Sequence, residues 1–267
     1  MNLLDLTLPT PAENLACDEA LLDWCEEGAG HGVLRFWEPP MYFVVVGYAN
    51  HVEREVNVAG CRKRGIPILR RCTGGGTVLQ GPGCLNYSLI LRMDSDPALQ
   101  NVPGTNRFVM EHNRAALEPL VACRSRRKEA LVWKTENRKP KTEISVRGHT
   151  DLAMGDWKFS GNAQRRKRRA VLFHGTFLLN LDLGLVNELL PMPSREPDYR
   201  KHRPHDQFLM NLGVPANELK AALRQAWGAH EEFNGLPEER TRRLIEEKYS
   251  ADAWNLKERW CLKDSRR

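Results

Sequence analysis

Segments with the composition of β-strands recur through the first two thirds of the sequence, and helical segments lie between and after them. β-Branched and aromatic residues bounded by glycine and proline predict strands, whereas apolar residues three to four positions apart predict helices. Strands are predicted at 33–37, 42–47, 66–71, 78–79, 86–91, 144–147, 157–160 and 170–180, and helices at 13–26, 53–64, 105–122, 216–228 and 237–248. This order predicts an α+β fold with a mostly antiparallel sheet flanked by helices.

A single domain is predicted across residues 1–267. The length gives a prior of one to two domains, at roughly 150 residues each, and is ample for a self-sufficient core. No long glycine- or serine-rich linker divides the chain, so the helical stretch from about 205 to 267 is assigned to the same domain. Residues 124–143 interrupt the pattern as a long charged loop or hairpin, a type of segment that is more often functional or mobile than structural.

Composition excludes several classes of protein. Hydrophobic residues make up 41% and charged residues 28% of the chain, as in ordinary globular proteins, which excludes a disordered or collagen-like chain. No apolar run approaches the roughly 18–20 residues that a membrane-spanning helix needs. Residues 1–10 lack the basic residues that open a signal peptide, so we expect a cytoplasmic protein without a membrane partner. Seven scattered cysteines without a CxxC pair argue against a disulfide framework and a zinc site.

Positive charge is concentrated in one segment. The formal net charge is +6, yet residues 124–169 hold 15 basic and five acidic side chains, whereas the rest of the chain holds 25 basic and 29 acidic ones. Two dense clusters, at 124–128 and 165–169, account for much of the excess. Such a segment is either a solvated loop or a surface for phosphate or an acidic macromolecule.

The strongest local signal is a glycine-rich loop that follows two arginines. Three consecutive glycines suit a place where backbone approaches a ligand or takes positive φ, and exposed amide groups in such a loop can hold anionic oxygens. The arginines add fixed positive charge. The alternative is a glycine-rich hairpin without a ligand, and the sequence matches neither a P-loop nor the GxGxxG motif. The candidate residues are Arg70, Arg71, Thr73, Gly74, Gly75, Gly76 and Thr77.

Two weaker motifs follow along the chain. Lys158 precedes a group of small residues typical of a tight turn, and a lysine there can point into a cleft as a compact cation. Most lysines are solvated, so this motif by itself carries little weight. His174 and Gly175 open a strand, where glycine indicates close approach of another backbone. A single histidine in that position is more often structural than catalytic.

The order and spacing of these motifs resemble those of the lipoate–protein ligase family, a branch of the biotin/lipoate ligase superfamily. The resemblance rests on RRCTGGGTVLQGPGCLNYS, TDLAMGDWKFSGNAQRR and HGTFLLN, in this order. It extends to VGYAN at 46–50 and to KYS and WN within 248–255, and covers about residues 1–260. It implies the class II synthetase-like catalytic fold of that superfamily.

The resemblance implies a two-step acyl transfer. ATP and the carboxylate of lipoate would form lipoyl-adenylate, and the ε-amine of a lysine on an acceptor domain would attack it and release AMP. Lys158 would contact the carboxylate and the α-phosphate, and Asp151 would lie near Mg²⁺ and the phosphates. No nucleophilic side chain of the enzyme is needed. The lipoyl-type acceptor domains of this family are commonly acidic, which suits the basic segment better than a nucleic-acid partner does.

The family's binding residues carry over to this sequence position by position. Besides Lys158, the implied set is Arg70, Arg71, Thr73, Gly74, Gly75, Gly76, Thr77, Asn86, Asp151, Gly161, Asn162, Ala163, His174 and Gly175, with Val44, Val46, Val78 and Tyr87 as candidates for an apolar slot. Three positions depart from the usual pattern, with Gln80 in place of histidine and Cys84 and Thr150 in place of asparagine. Bacterial ligases of full activity often carry a further accessory domain, which leaves open a need for a separate accessory protein.

Three alternatives stay open beside the ligase. An octanoyltransferase of the same superfamily would move octanoyl from an acyl carrier protein through a cysteine thioester and without ATP. No cysteine occurs between Cys123 and Cys261, where the nucleophile positions of such transferases fall. A biotin–protein ligase would need a GRGRxxxxW-type loop, which the sequence lacks. A non-catalytic nucleic-acid binder could use the basic segment with Trp133 and Trp157.

Overall fold

Two β-sheets and the helices that cover them make up the computed structural model, which describes residues 1–28, 32–126 and 143–257. The strands are β1 (Asn2–Asp5), β2 (Val33–Trp37), β3 (Phe43–Val46), β4 (Ile68–Arg70), β5 (Val78–Gln80), β6 (Cys84–Arg92), β7 (Ile144–Arg147), β8 (Asp151–Met154), β9 (Trp157–Arg166), β10 (Ala170–Leu178) and β11 (Glu231–Glu232). The helices are α1 (Pro11–Glu26), α2 (Val52–Glu55), α3 (Val58–Arg64), α4 (Val102–Arg126), α5 (Leu183–Leu189), α6 (His205–Phe208), α7 (Ala216–Ala226), α8 (Glu238–Leu244) and α9 (Asp252–Asn255). A π-helical turn, Ile245–Tyr249, continues α8.

The larger sheet has the strand order β11-β1-β2-β6-β10-β9-β8-β7. Its strands pair antiparallel from β2 to β7, whereas β1 is parallel to both β2 and β11. The smaller sheet has the order β4-β3-β5, with β3 parallel to β4 and antiparallel to β5. The predicted α+β fold with a mostly antiparallel sheet is therefore confirmed.

Helices pack on both faces of the larger sheet, because successive side chains of a strand point to opposite sides. Leu89 of β6 and Phe173 of β10 belong to a core that includes residues of α4 and α7. Their sequence neighbours Ile90 and Leu172 belong to a different core, which includes residues of α1. The two central strands thus contribute to two hydrophobic cores, one on each side.

Helix α1 begins with a capping box. The Thr10 hydroxyl accepts a hydrogen bond from the Glu13 N–H at 3.2 Å, and the Glu13 carboxylate accepts one from the Thr10 N–H at 2.6 Å. These reciprocal bonds satisfy backbone donors that a first helical turn otherwise leaves free. Pro11 occupies the first helical position, where its missing N–H is not needed. The helix therefore starts two residues earlier than the apolar spacing predicts.

The structure differs from the sequence prediction in further places. The prediction contains no strand at β1, β8 or β11 and no helix at α5. The helix predicted at 53–64 is two short helices, the second capped by Asn57, whose side chain accepts from the Gly60 N–H. The small residues after Lys158 do not form a turn. They continue β9, because they pair with β8 on one side and β10 on the other.

The C-terminal helical part packs against the rest of the chain, with α7 on α4 and α8 on α1. Its assignment to the same domain stays a prediction. Across the three described ranges, no helix is both long enough and apolar enough to cross a membrane.

Candidate active site

A cavity of about 860 Å³ lies between the glycine-rich loop and strands β8, β9 and β10. Most of the residues that the motifs single out line it, namely Arg71, Gly75, Gly76, Thr77, Asn86, Asp151, Lys158, Gly161, Asn162, Ala163, His174 and Gly175. Arg70, Thr73 and Gly74 lie outside the lining. The fold thus gathers motifs that are separated by about a hundred residues, while the role of each residue stays a prediction.

Lys158 and Asp151 form an ion pair on the wall of the cavity. The Lys158 Nζ lies 2.7 Å from the Asp151 Oδ1, and both side chains are mostly buried. The strands that carry them, β8 and β9, are neighbours, and their register shifts between Leu152 and Ala153. Gly161 leaves room for the lysine in this position, since a Cβ there would lie 2.7 Å from the Lys158 Nζ. The ion pair therefore fixes the place of the Lys158 Nζ in the cavity.

Tyr199 holds the second carboxylate oxygen of Asp151. Its hydroxyl donates to the Asp151 Oδ2 at 2.8 Å. Burial, together with the negative charge of Asp151, raises the pKa of the Tyr199 hydroxyl far above its usual range, so it stays a donor. The Arg147 guanidinium lies 4.8 Å from the ring centre, and the Phe208 ring lies 5.2 Å away. The sequence offers no motif that points to Tyr199, because it lies in an irregular polar segment.

Arg71 shapes the glycine-rich loop from inside. Its Nη2 donates to the carbonyl oxygens of Gly74 and Gly76 at 2.6 and 2.7 Å, and its Nε donates to Gly74 at 3.1 Å. Burial lowers the pKa of the Arg71 guanidinium to about 10, which leaves it charged at neutral pH. Gly75 takes a φ of +85°, a conformation that favours glycine. Arg71 therefore carries positive charge to the cavity wall and also fixes the path of the loop.

Arg70 has a different position from the one the resemblance implies. It is 1% exposed and does not line the cavity. Its Nη1 donates to the carbonyl oxygens of Gly47, Tyr48 and Asn50 at 2.8–3.1 Å. The two adjacent arginines therefore point to different surroundings, because successive residues at the end of a strand face opposite sides.

His174 connects the loop to helix α1. Its Nε2 lies 2.7 Å from the Thr73 Oγ1, and its Nδ1 lies 3.5 Å from the Asp18 Oδ2. Asp18 is also 2.6 Å from the Arg35 guanidinium and accepts from the Ser88 hydroxyl. Although burial opposes it, the contacts with Arg35 and His174 hold the pKa of Asp18 below its usual range. His174 thus lines the cavity as part of a buried charged network.

Asn162 joins β9 to its neighbours through its side chain. Its Nδ2 donates to the Thr150 carbonyl at 2.7 Å, and its Oδ1 accepts from the Tyr87 hydroxyl at 2.7 Å. Gly175, opposite Asn162 in the β9–β10 pair, leaves the space for this amide, since a Cβ there would lie 1.6 Å from the Asn162 Oδ1. The Tyr87 hydroxyl in turn accepts from Asn113 of α4.

Gln80 is one of the positions that depart from the family pattern. Its side chain forms a ring of hydrogen bonds with Thr176 and Asn86. Its Nε2 donates to the Thr176 hydroxyl at 3.0 Å, and its Oε1 accepts from the Asn86 Nδ2 at 2.8 Å. Thr176 donates to the Asn86 Oδ1 at 2.5 Å. The amide of Asn86, a predicted binding residue, is therefore oriented by partners within the chain.

The apolar lining differs in part from the predicted slot. Val78 and Tyr87 line the cavity, but Val44 and Val46 do not and instead pack into a core beside it. The neighbouring residue Val45 lines the cavity, because adjacent residues of β3 point to opposite sides. The apolar lining that the sequence did not reveal includes Leu15, Trp37, Val45, Leu79, Leu178, Leu181, Val186, Leu190, Phe208 and Leu209.

No cysteine that the structure describes lines the cavity. The described thiols are buried and free, at Cys17, Cys25, Cys61, Cys72 and Cys84. Cys72 and Cys84 lie nearest in sequence to the glycine-rich loop, and burial raises the pKa of each thiol to about 12. Both are therefore protonated at neutral pH, and a thiol is a much weaker nucleophile than a thiolate.

The donor set of the cavity fits a nucleotide with Mg²⁺ better than a metal held by the protein alone. The described residues contain no group of three or more His, Cys, Asp or Glu side chains that could hold a metal ion. Mg²⁺ needs only one or two carboxylates when it also binds substrate phosphates. Asp151 can supply one carboxylate, and Lys158 and Arg195, which both line the cavity, can meet phosphate oxygens.

The basic segment is only partly described. Its first cluster, 124–128, lies at the end of α4 and beyond it, where the side chains are outside the described residues. In the second cluster, Arg165 donates to the Cys72 carbonyl and Arg166 to the Leu99 carbonyl, while Lys167 pairs with Asp23. Arg168 and Arg169 at the end of the hairpin are exposed. Only this last pair is available as a charged surface in the described part of the cluster.

The α+β fold and a cavity that joins the glycine-rich loop to the lysine and histidine motifs agree with the biotin/lipoate ligase superfamily that the sequence resembles. Residues 10–221 match the model of the lipoyl protein ligase A/B catalytic domain, and the chain belongs to that family. It is 30% identical to octanoyltransferase LipM of Geobacillus kaustophilus over 92% of this chain and 94% of the relative.

Solved structures share the fold of this chain. A lipoate–protein ligase A bound with ATP is 26% identical to this chain and superposes with a TM-score of 0.70, over 96% of this chain and 98% of the other. A lipoate protein ligase from Thermoplasma acidophilum shares the fold with a TM-score of 0.72 at 23% identity, over 96% of this chain and 95% of the other. The protein is therefore an enzyme of the lipoate ligase and transferase superfamily.

Proposed function

We propose that the protein is an ATP-dependent lipoate–protein ligase, which activates lipoate as lipoyl-AMP and transfers the lipoyl group to a lysine of an acceptor lipoyl domain. The observation that carries this proposal is the Lys158–Asp151 ion pair in a cavity with a long apolar lining. A lysine held in this way suits a reaction between two anions, and the apolar lining suits an alkyl chain with a dithiolane ring.

The first step joins two negatively charged groups. A carboxylate oxygen of lipoate forms a bond to the α-phosphorus of ATP, and the bond to pyrophosphate breaks. Coulomb repulsion opposes this approach, and a fixed cation within about 4 Å offsets it and stabilises the charge that develops in the transition state. Lys158 is that cation. Mg²⁺ bound at Asp151 would offset the negative charge of the leaving pyrophosphate.

The second step needs no nucleophile from the enzyme. The ε-amine of the acceptor lysine attacks the carbonyl carbon of the mixed anhydride, a C–N bond forms, the C–O bond to AMP breaks, and the amine loses a proton. The cavity lining supplies the apolar contacts for the acyl chain through Leu178, Leu181 and Val186. The acceptor lysine must enter beside the Lys158–Asp151 pair.

An ATP-independent octanoyltransferase is the second candidate, because the relative at 30% identity is named octanoyltransferase LipM. A transferase of that kind passes the acyl group through a cysteine thioester. Cys72 and Cys84 are poor candidates for that role, since they are buried outside the cavity lining and their thiols are protonated. The side chains of Cys123 and Cys261 lie outside the described residues, so the experiment includes both.

The deciding experiment offers the purified chain two acyl donors in parallel. One reaction contains lipoate, ATP and Mg²⁺, and the other contains octanoyl acyl carrier protein without ATP; the acceptor lipoyl domain is weighed by mass spectrometry in both. A mass increase of one lipoyl group in the first reaction alone supports the ligase. Transfer in the second alone overturns it. No accessory protein is added, so lipoylation in the first reaction would also show that none is required.

A variant without Cys123 and Cys261 separates the two mechanisms further. In Cys123→Ser with Cys261→Ser, the ligase keeps its ATP-dependent activity, whereas a transferase that uses either thiol loses acyl transfer. Lys158→Ala is the opposite control, since it should reduce lipoate-dependent exchange of pyrophosphate into ATP by about 10²–10³-fold.

An acidic acceptor domain is the partner that the charge distribution favours. Arg168 and Arg169 are exposed at the end of the β9–β10 hairpin. Charges at the rim of an interface act mainly on the rate of association, which falls as salt rises. We therefore assign to this pair a role in the approach of the acceptor, separate from the formation of the adenylate.

A further inference from the structure

The edge of strand β4 is completed by two side chains from the C-terminal part of the chain. Strand β4 is an edge strand of the smaller sheet, and its last residue is Arg70. The Arg70 N–H donates to the Asn255 Oδ1 at 3.0 Å, and the Arg70 carbonyl accepts from the Trp254 Nε1 at 2.8 Å. Two side chains thus satisfy the backbone donor and acceptor that a neighbouring strand would otherwise satisfy.

The Arg70 side chain also contacts this C-terminal segment, which comprises residues 248–255. Its Nε donates to the Trp254 carbonyl at 3.0 Å, and its Nη1 donates to three carbonyl oxygens in the turn at 47–50. Arg70 is thereby fixed between the C-terminal segment and that turn. This explains why a charged side chain that lies outside the cavity is almost wholly buried.

The turn at 47–50 holds the glycine-rich loop at three points. The Tyr48 N–H donates to the Thr73 carbonyl at 2.9 Å, and the Asn50 Nδ2 donates to the Thr77 Oγ1 at 3.3 Å. Between them, Gly47 lies so close to Gly75 that a Cβ on Gly47 would be 2.1 Å from the Gly75 carbonyl oxygen. The start, middle and end of the loop therefore depend on the position of this turn.

The C-terminal segment is itself anchored on helix α1. The Asn255 Nδ2 donates to the Tyr249 carbonyl at 2.8 Å, and the Tyr249 hydroxyl donates to the Glu19 carboxylate at 2.6 Å. Lys248 pairs with the same carboxylate at 2.6 Å. The segment lies beyond residues 10–221, the part that matches the catalytic-domain family.

We propose that Trp254 and Asn255 are positioning residues, which hold the glycine-rich loop in its binding conformation through Arg70 and the turn at 47–50. This inference rests on the proposed function only for the identity of the ligand, because the ordering of the loop is a property of the protein without substrate. Neither residue lines the cavity, so their effect on substrate passes through the loop.

Amide hydrogen exchange of the full-length protein, read by mass spectrometry, tests the inference without substrate. Trp254→Phe removes the indole donor to Arg70 and keeps an aromatic ring, and Asn255→Ala removes both side-chain bonds. We expect the amides of residues 72–77 to exchange about tenfold faster in each variant, which follows from the opening equilibrium of a loop that has lost part of its support. The amides of β6 and β10 should keep their wild-type rates.

Trp227→Phe is the matched control. The Trp227 Nε1 donates to the Asn113 Oδ1 at 2.9 Å, and its ring packs against a core that contains no residue of 72–77, so this change should leave those residues unaltered. Unchanged exchange at 72–77 in both test variants overturns the inference. Equal acceleration in β6 and β10 overturns it as well, because that result means general destabilisation.

A kinetic readout then connects the loop to the ligand. If wild-type protein forms lipoyl-AMP, Trp254→Phe should raise the KM for lipoate about tenfold while kcat changes less than threefold. If the loop exchanges faster but the KM for lipoate is unchanged, the positioning role is rejected. If wild-type protein forms no adenylate, the proposed function fails, and the exchange experiment still decides whether the C-terminal segment orders the loop.

Discussion

The Lys158 Nζ and the Asp151 Oδ1 are 2.7 Å apart on adjacent antiparallel strands, and Tyr199 fixes the other oxygen of the same carboxylate. Asp151 thus orients Lys158, and Tyr199 in turn orients Asp151. Such preorganised charge stabilises a developing negative charge without the cost of reorganising solvent at the moment of reaction.

Replacement of Lys158 by alanine should reduce lipoate-dependent exchange of pyrophosphate into ATP by about 10²–10³-fold, the range measured for removal of one preorganised stabilising group. Lys158→Arg keeps the charge but not the compact ammonium, so it should recover only part of the rate. A thermal melt close to wild type establishes that the variant is folded. Undiminished exchange in folded Lys158→Ala would remove this lysine from the mechanism.

Gly175→Ala should disrupt the site by a purely steric route. The new Cβ would lie 1.6 Å from the Asn162 Oδ1, so the amide must leave its bonds to Thr150 and Tyr87. Overpacking of this kind costs about 1–3 kcal/mol of stability, which differential scanning calorimetry can measure. Gly235→Ala is the control, because its Cβ would meet only Phe233 at an ordinary distance. Equal stability of the two variants would contradict the arrangement around Asn162.

Stability should fall in the alkaline range because of the buried thiols. Burial raises the pKa of Cys72 and Cys84 from 9.0 to about 12. Below pH 9 both thiols are protonated in the native and unfolded chains. Above it the unfolded chain loses protons that the native chain keeps, so the free energy of unfolding drops by up to about 1.4 kcal/mol per pH unit for each thiol.

Urea unfolding at intervals between pH 8 and 11 checks this expectation. Cys72→Ala with Cys84→Ala should show a shallower loss of stability with pH than the wild type. Val44→Ala, a truncation at a fully buried site without a titrating group, should keep the wild-type slope. A slope unaffected by removal of the two thiols would show that other groups cause the alkaline loss.

Neutralisation of Arg168 and Arg169 should slow the use of an acidic acceptor domain and leave adenylate formation unchanged. Glutamine is the appropriate replacement, since the Glu26 carboxylate already accepts hydrogen bonds from both backbone N–H groups and would repel new negative charge. We expect a severalfold lower kcat/KM for the acceptor at low salt and a smaller difference at high salt.

The control removes the same amount of positive charge at a different place on the surface. Arg242→Gln with Arg243→Gln alters two exposed arginines of α8 and should leave acceptor use near the wild-type level. If both double variants reduce acceptor use equally, net charge rather than the hairpin directs association. Loss of adenylate formation in the hairpin variant would mean that Arg168 and Arg169 also act in the first step.

Sequence reasoning reached the fold class and the motifs because both depend on local patterns. Alternating apolar residues determine which strands a sheet can contain, and three consecutive glycines restrict the backbone wherever they occur. The same reasoning placed Val44 and Val46 in the apolar slot and missed Val45. It had no means of fixing which side of β3 faces the cavity, because a shift of one residue in register exchanges the two faces.

The sequence by itself thus determined an α+β chain with a glycine-rich loop, a lysine motif and a histidine–glycine strand in a family-like order. The tertiary structure decided what each arginine of the pair does: Arg71 supports the loop from the cavity side, and Arg70 joins it to Trp254 and Asn255. It also decided that Tyr199 fixes Asp151. These contacts join residues up to 185 positions apart, and only packing of the whole chain brings such residues within hydrogen-bonding distance.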